Sequence, residues 1–132
     1  MPNMQVVDRT GQELMLAELL DAGIPTVIVF VDPKGCTHCL ELFPEIAQWQ
    51  AKYHGNLNLL VLSTRLSPSD WEIADKAKVD NILEQSVYEA FESFEVPKIP
   101  SATVIHPSGT IWAPIAIGPE GIYDLLELAS KR

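Results

Sequence analysis

The run Val27-Ile28-Val29-Phe30-Val31-Asp32-Pro33-Lys34-Gly35-Cys36-Thr37-His38-Cys39-Leu40-Glu41-Leu42-Phe43 constrains this chain more than any other stretch. Val27 to Val31 is β-branched and aromatic and lies between Pro25 and Pro33, which suits a strand covered on both faces better than a five-residue helix. After a short turn, Leu42, Phe43, Ile46, Trp49 and Tyr53 recur at helical spacing, predicting a helix to about Tyr53 that Gly55-Asn56 ends. Both cysteines therefore fall where a central strand hands over to a helix.

That position has chemical consequences. A thiol at a helix N-terminus feels unpaired backbone N–H groups and the positive end of the dipole, so its thiolate is favoured. With two residues between them on a first helical turn, Cys36 and Cys39 share a face, close enough for a disulfide or for relay of a mixed disulfide. Cys36, nearer the helix end, is the expected attacking sulfur and Cys39 the resolving one. His38 adds a second push when protonated: lowering a thiol pKa from ~8.5 to ~6 raises the thiolate fraction at neutral pH from a few per cent to about nine-tenths. A lower pKa also makes a better leaving group and hence a more oxidising disulfide.

Cys36-Thr37-His38-Cys39, followed five residues on by Pro44, resembles the active-site segment of the thioredoxin-like superfamily, whose active-site helix is kinked by a proline. The segment Phe94 to Ile111 is similar to that family's cis-proline loop, next strand, turn and partner strand, with Pro100 at the cis position. Its Pro-Ser-Ala-x-Val-Ile-x-x-x-Gly pattern resembles the redoxin branch that includes the TlpA and MauD-type disulfide reductases. The resemblance spans about Val6 to Ala129. It implies a thiol–disulfide oxidoreductase, with Pro100 shaping a docking groove and the Ile99 backbone pairing with an extended substrate. Thr37, Ile99 and Pro100 are the substrate-binding candidates, and Cys36, Cys39 and His38 the catalytic ones.

The chain also departs from the family. Thioredoxin has Trp before the first cysteine and a buried Asp in the preceding strand, where an ungapped alignment puts Gly35 and Phe30. The proton acceptor is left among Asp32, Glu41, Glu45 and water. The peroxiredoxin pattern Pro-x-x-x-Thr-x-x-Cys fails when counted from Pro33.

At 132 residues and 47% hydrophobic, the chain is expected to form one domain, residues 1–132, burying roughly two-thirds of its unfolded surface. A net charge of -9 argues against nucleic acid, whose phosphates would repel it. Both cysteines are spent on the motif, so no structural disulfide is expected. No apolar run approaches the ~18 to 20 residues of a membrane span, and Met1-Pro2-Asn3-Met4 is not a basic stretch leading into an apolar one. The expectation is a soluble monomer, without cofactor or metal, that meets a protein dithiol or disulfide and an upstream redox partner. Its compartment is left open: cytoplasmic, or the soluble part of an exported or anchored protein.

Along the chain, Met4 to Val7 reads as an edge strand and Asp8-Arg9-Thr10-Gly11 as a turn. Leu14, Leu16, Ala17, Leu19 and Leu20 predict a helix over Glu13 to Ala22. Leu57 to Ser63 and Asn81 to Gln85 read as strands, with a helix from Ser67-Pro68 to about Lys78 between them. Ser86 to Phe94 reads as a helix, Ala102 to His106 and Ile111 to Ile117 as an antiparallel pair, and Gly118 onward as a last helix carrying Ile122, Leu125, Leu126 and Leu128. The fold class is α/β, a thioredoxin fold with a mixed sheet flanked by helices on both faces. The alternative reading is a non-catalytic or metal-carrying module of that fold. Redox exchange is preferred, because a second Cys-x-x-Cys or a His pair at ligand spacing is absent. His54 and His106 are read as surface residues.

Overall fold

A seven-stranded sheet runs through the computed structural model, which describes residues 4–36, 38–85, 91–92, 94–96, 98–112 and 115–131. The strands are β1 (Gln5–Val7), β2 (Glu13–Met15), β3 (Thr26–Val31), β4 (Asn58–Ser63), β5 (Ile82–Glu84), β6 (Ser101–Ile105) and β7 (Ala116–Ile117). They lie in the order β2-β1-β5-β4-β3-β6-β7. Three helices with bounds among the described residues accompany them, α1 (Cys39–Lys52), α2 (Pro68–Ala77) and α3 (Gly118–Ser130).

The unbroken apolar run of β3 is explained by its place. It pairs parallel with β4, Thr26 opposite Asn58 through Val31 opposite Ser63, and antiparallel with β6, Thr26 opposite Ile105 through Phe30 opposite Ser101. All six of its residues are buried. Val27, Val29 and Val31 join the core beneath α1, α2 and α3, whereas Ile28 and Phe30 enter a second core on the other face. That second face is covered by Leu16 and by Phe91 and Phe94, whose rings lie 5.9 and 5.4 Å from that of Phe30. The expected helix over Ser86 to Phe94 falls mostly outside the described residues; 91–92 are helical.

Helix α2 begins as its sequence asks. Ser67 Oγ accepts the Asp70 N–H and the Asp70 carboxylate accepts the Ser67 N–H, a reciprocal cap with Pro68 at the first helical position.

Four expectations need correction. Glu13 to Ala22 is not a helix: Glu13–Met15 is β2, and Leu16–Leu19 is a single 3-10 turn. The Asp8 carboxylate accepts the N–H groups of Thr10 and Gln12, and Gly11 at φ +90 turns the chain back so that Leu14 pairs with Val6. Ladder bonds to β1 thus outweigh a weak helical preference. Second, β1 is not an edge; it sits between β2 and β5. Third, the strand expected over Ile111 to Ile117 is reduced to one bridge, Ile111 to Ile105, and to β7, while 113–114 lie outside the described residues. Fourth, Leu128 is 57% exposed, and Ala129 takes the buried position one turn after Leu125.

Candidate functional site

The site forms where β3 stops. The Gly35 N–H donates to the Asp32 carbonyl at 3.0 Å, closing a turn, and the Cys39 N–H donates to the Cys36 carbonyl at 3.3 Å. Helix α1 starts at Cys39 with His38 at its N-cap, so only the second cysteine is helical and Cys36 lies just ahead of the first turn. The two still meet. Cys36 and Cys39 form a disulfide with Cα atoms 5.5 Å apart.

The sulfurs differ in access. Cys39 is 0% exposed among Leu42, Phe43 and Val31, whereas Cys36 is half-buried at the margin of the same core. Pro44 lies inside α1, one turn beyond Cys39. His38 is turned outward, its Nδ1 3.1 Å from Glu41 Oε2, with side chains 80% and 76% exposed. Thr37 lies outside the described residues.

Just before the neighbouring strand β6, the Ile99–Pro100 peptide is cis. One step beyond Phe30 opposite Ser101, the register sets Pro100 beside Val31, at the end of β3 from which the cysteine turn departs. The Pro100 carbonyl accepts the Gly118 N–H at 2.9 Å, which ties the loop to the start of α3. Ile99 and Pro100 are half-buried, and Ile99, like Cys36, packs on the first core. The structure therefore brings Cys36, Cys39 and the Ile99–Pro100 loop to one end of the sheet. It leaves His38 nearby but engaged with Glu41.

Of the three carboxylates left open by the sequence, only Asp32 is buried; Glu41 and Glu45 are exposed. Asp32 Oδ1 accepts the Thr64 hydroxyl at 2.7 Å and the Lys34 N–H at 3.3 Å. Thr64 is not among the residues to which the sequence points. Only the parallel register of β3 with β4 carries it to Asp32, 32 residues away, and no local signal in the sequence marks it.

Among the described residues, no group of three or more His, Cys, Asp or Glu could hold a metal ion, and no helix is long and apolar enough to cross a membrane. His54 and His106 are exposed, and His106 Nδ1 lies 2.9 Å from Ser108 Oγ.

A mixed sheet with a strand–Cys-x-x-Cys–helix passage and a cis-proline beside it is a thioredoxin fold. No protein-family model matches the sequence, and no curated protein matches it. Solved structures do match in shape. The thioredoxin domain of a thiol-disulfide oxidoreductase from Bacteroides vulgatus superposes with a TM-score of 0.74 at 20% identity, over 96% of this chain and 92% of that one. A secreted disulfide oxidoreductase of Mycobacterium tuberculosis gives 0.70 at 18% identity, over 95% of each chain. A thiol:disulfide interchange protein of Chlorobium tepidum gives 0.72 at 17% identity, over 98% and 94%. At such identities the likeness establishes the fold.

Proposed function

We propose that this protein is a thiol–disulfide oxidoreductase that exchanges disulfides with a protein substrate through Cys36 and Cys39. The observation carrying this reading is the bonded pair itself, one sulfur reachable and its partner sealed, at the N-terminal end of α1. In the reducing direction the Cys36 thiolate attacks one sulfur of a substrate disulfide, forming a mixed disulfide and expelling the other as a thiolate. Cys39 loses its proton and attacks Cys36, forming the intramolecular disulfide and releasing the second substrate thiolate. Two electrons pass to the substrate, and two protons follow. The reverse sequence oxidises a substrate dithiol by the same bonds.

Exposure decides the roles. A substrate sulfur cannot reach Cys39 without opening the core, while Cys39 needs only the short path to Cys36. The half-buried Ile99–Pro100 loop offers backbone to an extended substrate segment beside the sulfurs, and Thr37, between the two cysteines in sequence, is the further substrate-binding candidate. A protonated His38 favours the Cys36 thiolate once its ring leaves Glu41 and turns toward the sulfur. Each turnover leaves the pair in the opposite redox state, so an upstream dithiol or disulfide partner must reset it. Residues 1–132 act here as one domain and as a monomer.

Substrate trapping tests the assignment. Cys39→Ser is expected to accumulate a mixed disulfide through Cys36 with a disulfide-bonded protein such as insulin, and Cys36→Ser to lose turnover. Wild-type turnover surviving Cys36→Ser would contradict it.

A further inference from the structure

We propose that the Asp32 carboxylate, seated against Gly35, disfavours the Cys36 thiolate and so makes the Cys36–Cys39 couple more reducing than its Cys-x-His-Cys motif alone would give. This rests on the exchange reading above and adds a residue that sets the direction of exchange.

Three observations support it. Asp32 is 6% exposed, in the turn that joins β3 to the cysteines. Its orientation is fixed, because Oδ1 accepts the hydroxyl of Thr64, itself buried at the end of β4, and the Lys34 N–H. Its second oxygen lies over the residue next to Cys36: a Cβ placed on Gly35 would sit 2.8 Å from Asp32 Oδ2, closer than such atoms approach. The backbone of Gly35 is not in the left-handed region, so conformational freedom is not what calls for glycine there. The carboxylate fills the space a side chain would take. Gly35 and Asp32 thus form a matched pair, one giving room and the other supplying charge one residue from the reactive sulfur.

The sign follows from electrostatics. A negative charge near a thiol disfavours its thiolate, and in a buried setting solvent screens it little. Since a less acidic thiol is a poorer leaving group, the disulfide it forms is less oxidising. Of the other charged groups near this turn, Lys34, Arg65 and Lys98 are exposed and screened by solvent, His38 and Glu41 pair with each other, and Glu84 on β5 accepts the Leu66 N–H. Asp32 therefore acts on Cys36 from the interior, opposite in sign to the effect expected of a protonated His38 from solvent.

The test is the acidity of Cys36 in the reduced protein, read as iodoacetamide alkylation rate against pH with the modified peptide identified by mass. Asp32→Asn keeps the shape and removes the charge. The expected result is alkylation about tenfold faster at pH 6 and an equilibrium with glutathione shifted toward a more oxidising couple. Gly35→Ala, which forces the carboxylate aside, should move the rate in the same direction, and the effect should vanish on an Asp32→Ala background. An unchanged alkylation profile in both single variants, or a slower rate in Asp32→Asn, would overturn the proposal. Because alkylation needs no protein substrate, this outcome is independent of whether the trapping experiment succeeds.

Discussion

Helix α1 has two unlike ends. At its start, Cys36 is half-buried, His38 and Glu41 make one exposed contact, and the N-cap side chain makes no capping bond. At its finish, the side chains of Gln50, Lys52 and Tyr53 are each held from another part of the fold. Gln50 Nε2 donates to the carbonyls of Leu59 and Asp80 while its Oε1 accepts the Asp80 N–H, and Tyr53 Oη and Lys52 Nζ both donate to Glu127 of α3. Lys52 also lies 5.2 and 5.0 Å from the ring centroids of Tyr53 and Tyr123. Between the ends, Phe43, Ile46 and Trp49 anchor the helix to the first core. The difference teaches that the chemical end is left accessible because the anchoring lies elsewhere. Substitutions at the start should change reactivity with little effect on stability, and those farther along the reverse.

The largest test of this division is Phe43→Ala, which opens a cavity where a fully buried ring now sits. It is expected to destabilise the protein by about 3–5 kcal/mol in denaturant unfolding, while the surviving folded fraction still alkylates at Cys36. Gln50→Ala comes next. It strips two carbonyls and one N–H of their partner and is expected to cost about 1–3 kcal/mol, with thiol acidity unchanged.

A pH measurement sharpens the comparison further. Hydrogen bonds from Lys52, Tyr53 and Tyr123 hold the Glu127 carboxyl down at about 2, against an ordinary 4.5. Its contribution is thus fully present above the unfolded value and is lost as pH falls toward the folded one. Glu127→Gln should therefore lose stability near neutrality and show a flatter acid limb between these two pH values, measured by thermal unfolding. The smallest expected change is at the other end. Glu41→Gln removes an exposed ion pair and should leave the melting temperature unmoved, while altering the pH profile of Cys36 alkylation through the released His38.

How far the sequence spoke depended on whether a residue's fate was local. Phe43, Ile46 and Trp49 share one face by helical spacing, the Ser67 cap sits next to the helix it starts, and Val27 to Val31 needs burial on both faces wherever it lies. These were legible. Leu14 and Leu16 were not, because their conformation is decided by pairing with β1 and not by the spacing of their neighbours. The same holds at the site. The cysteine pair and Pro100 could be read from short motifs. The burial of Asp32 could not, since it depends on Thr64 arriving from another strand and on the room that Gly35, lacking a side chain, leaves for the carboxylate.

The most direct measurement is a redox titration of the whole chain against reduced and oxidised glutathione, with the state of each sulfur mapped by mass. A single two-electron transition between the Cys36–Cys39 disulfide and the dithiol is the predicted result. If no redox poise interconverts the two states, or if the cysteines take up glutathione separately without ever joining, the protein does not perform thiol–disulfide exchange through this pair.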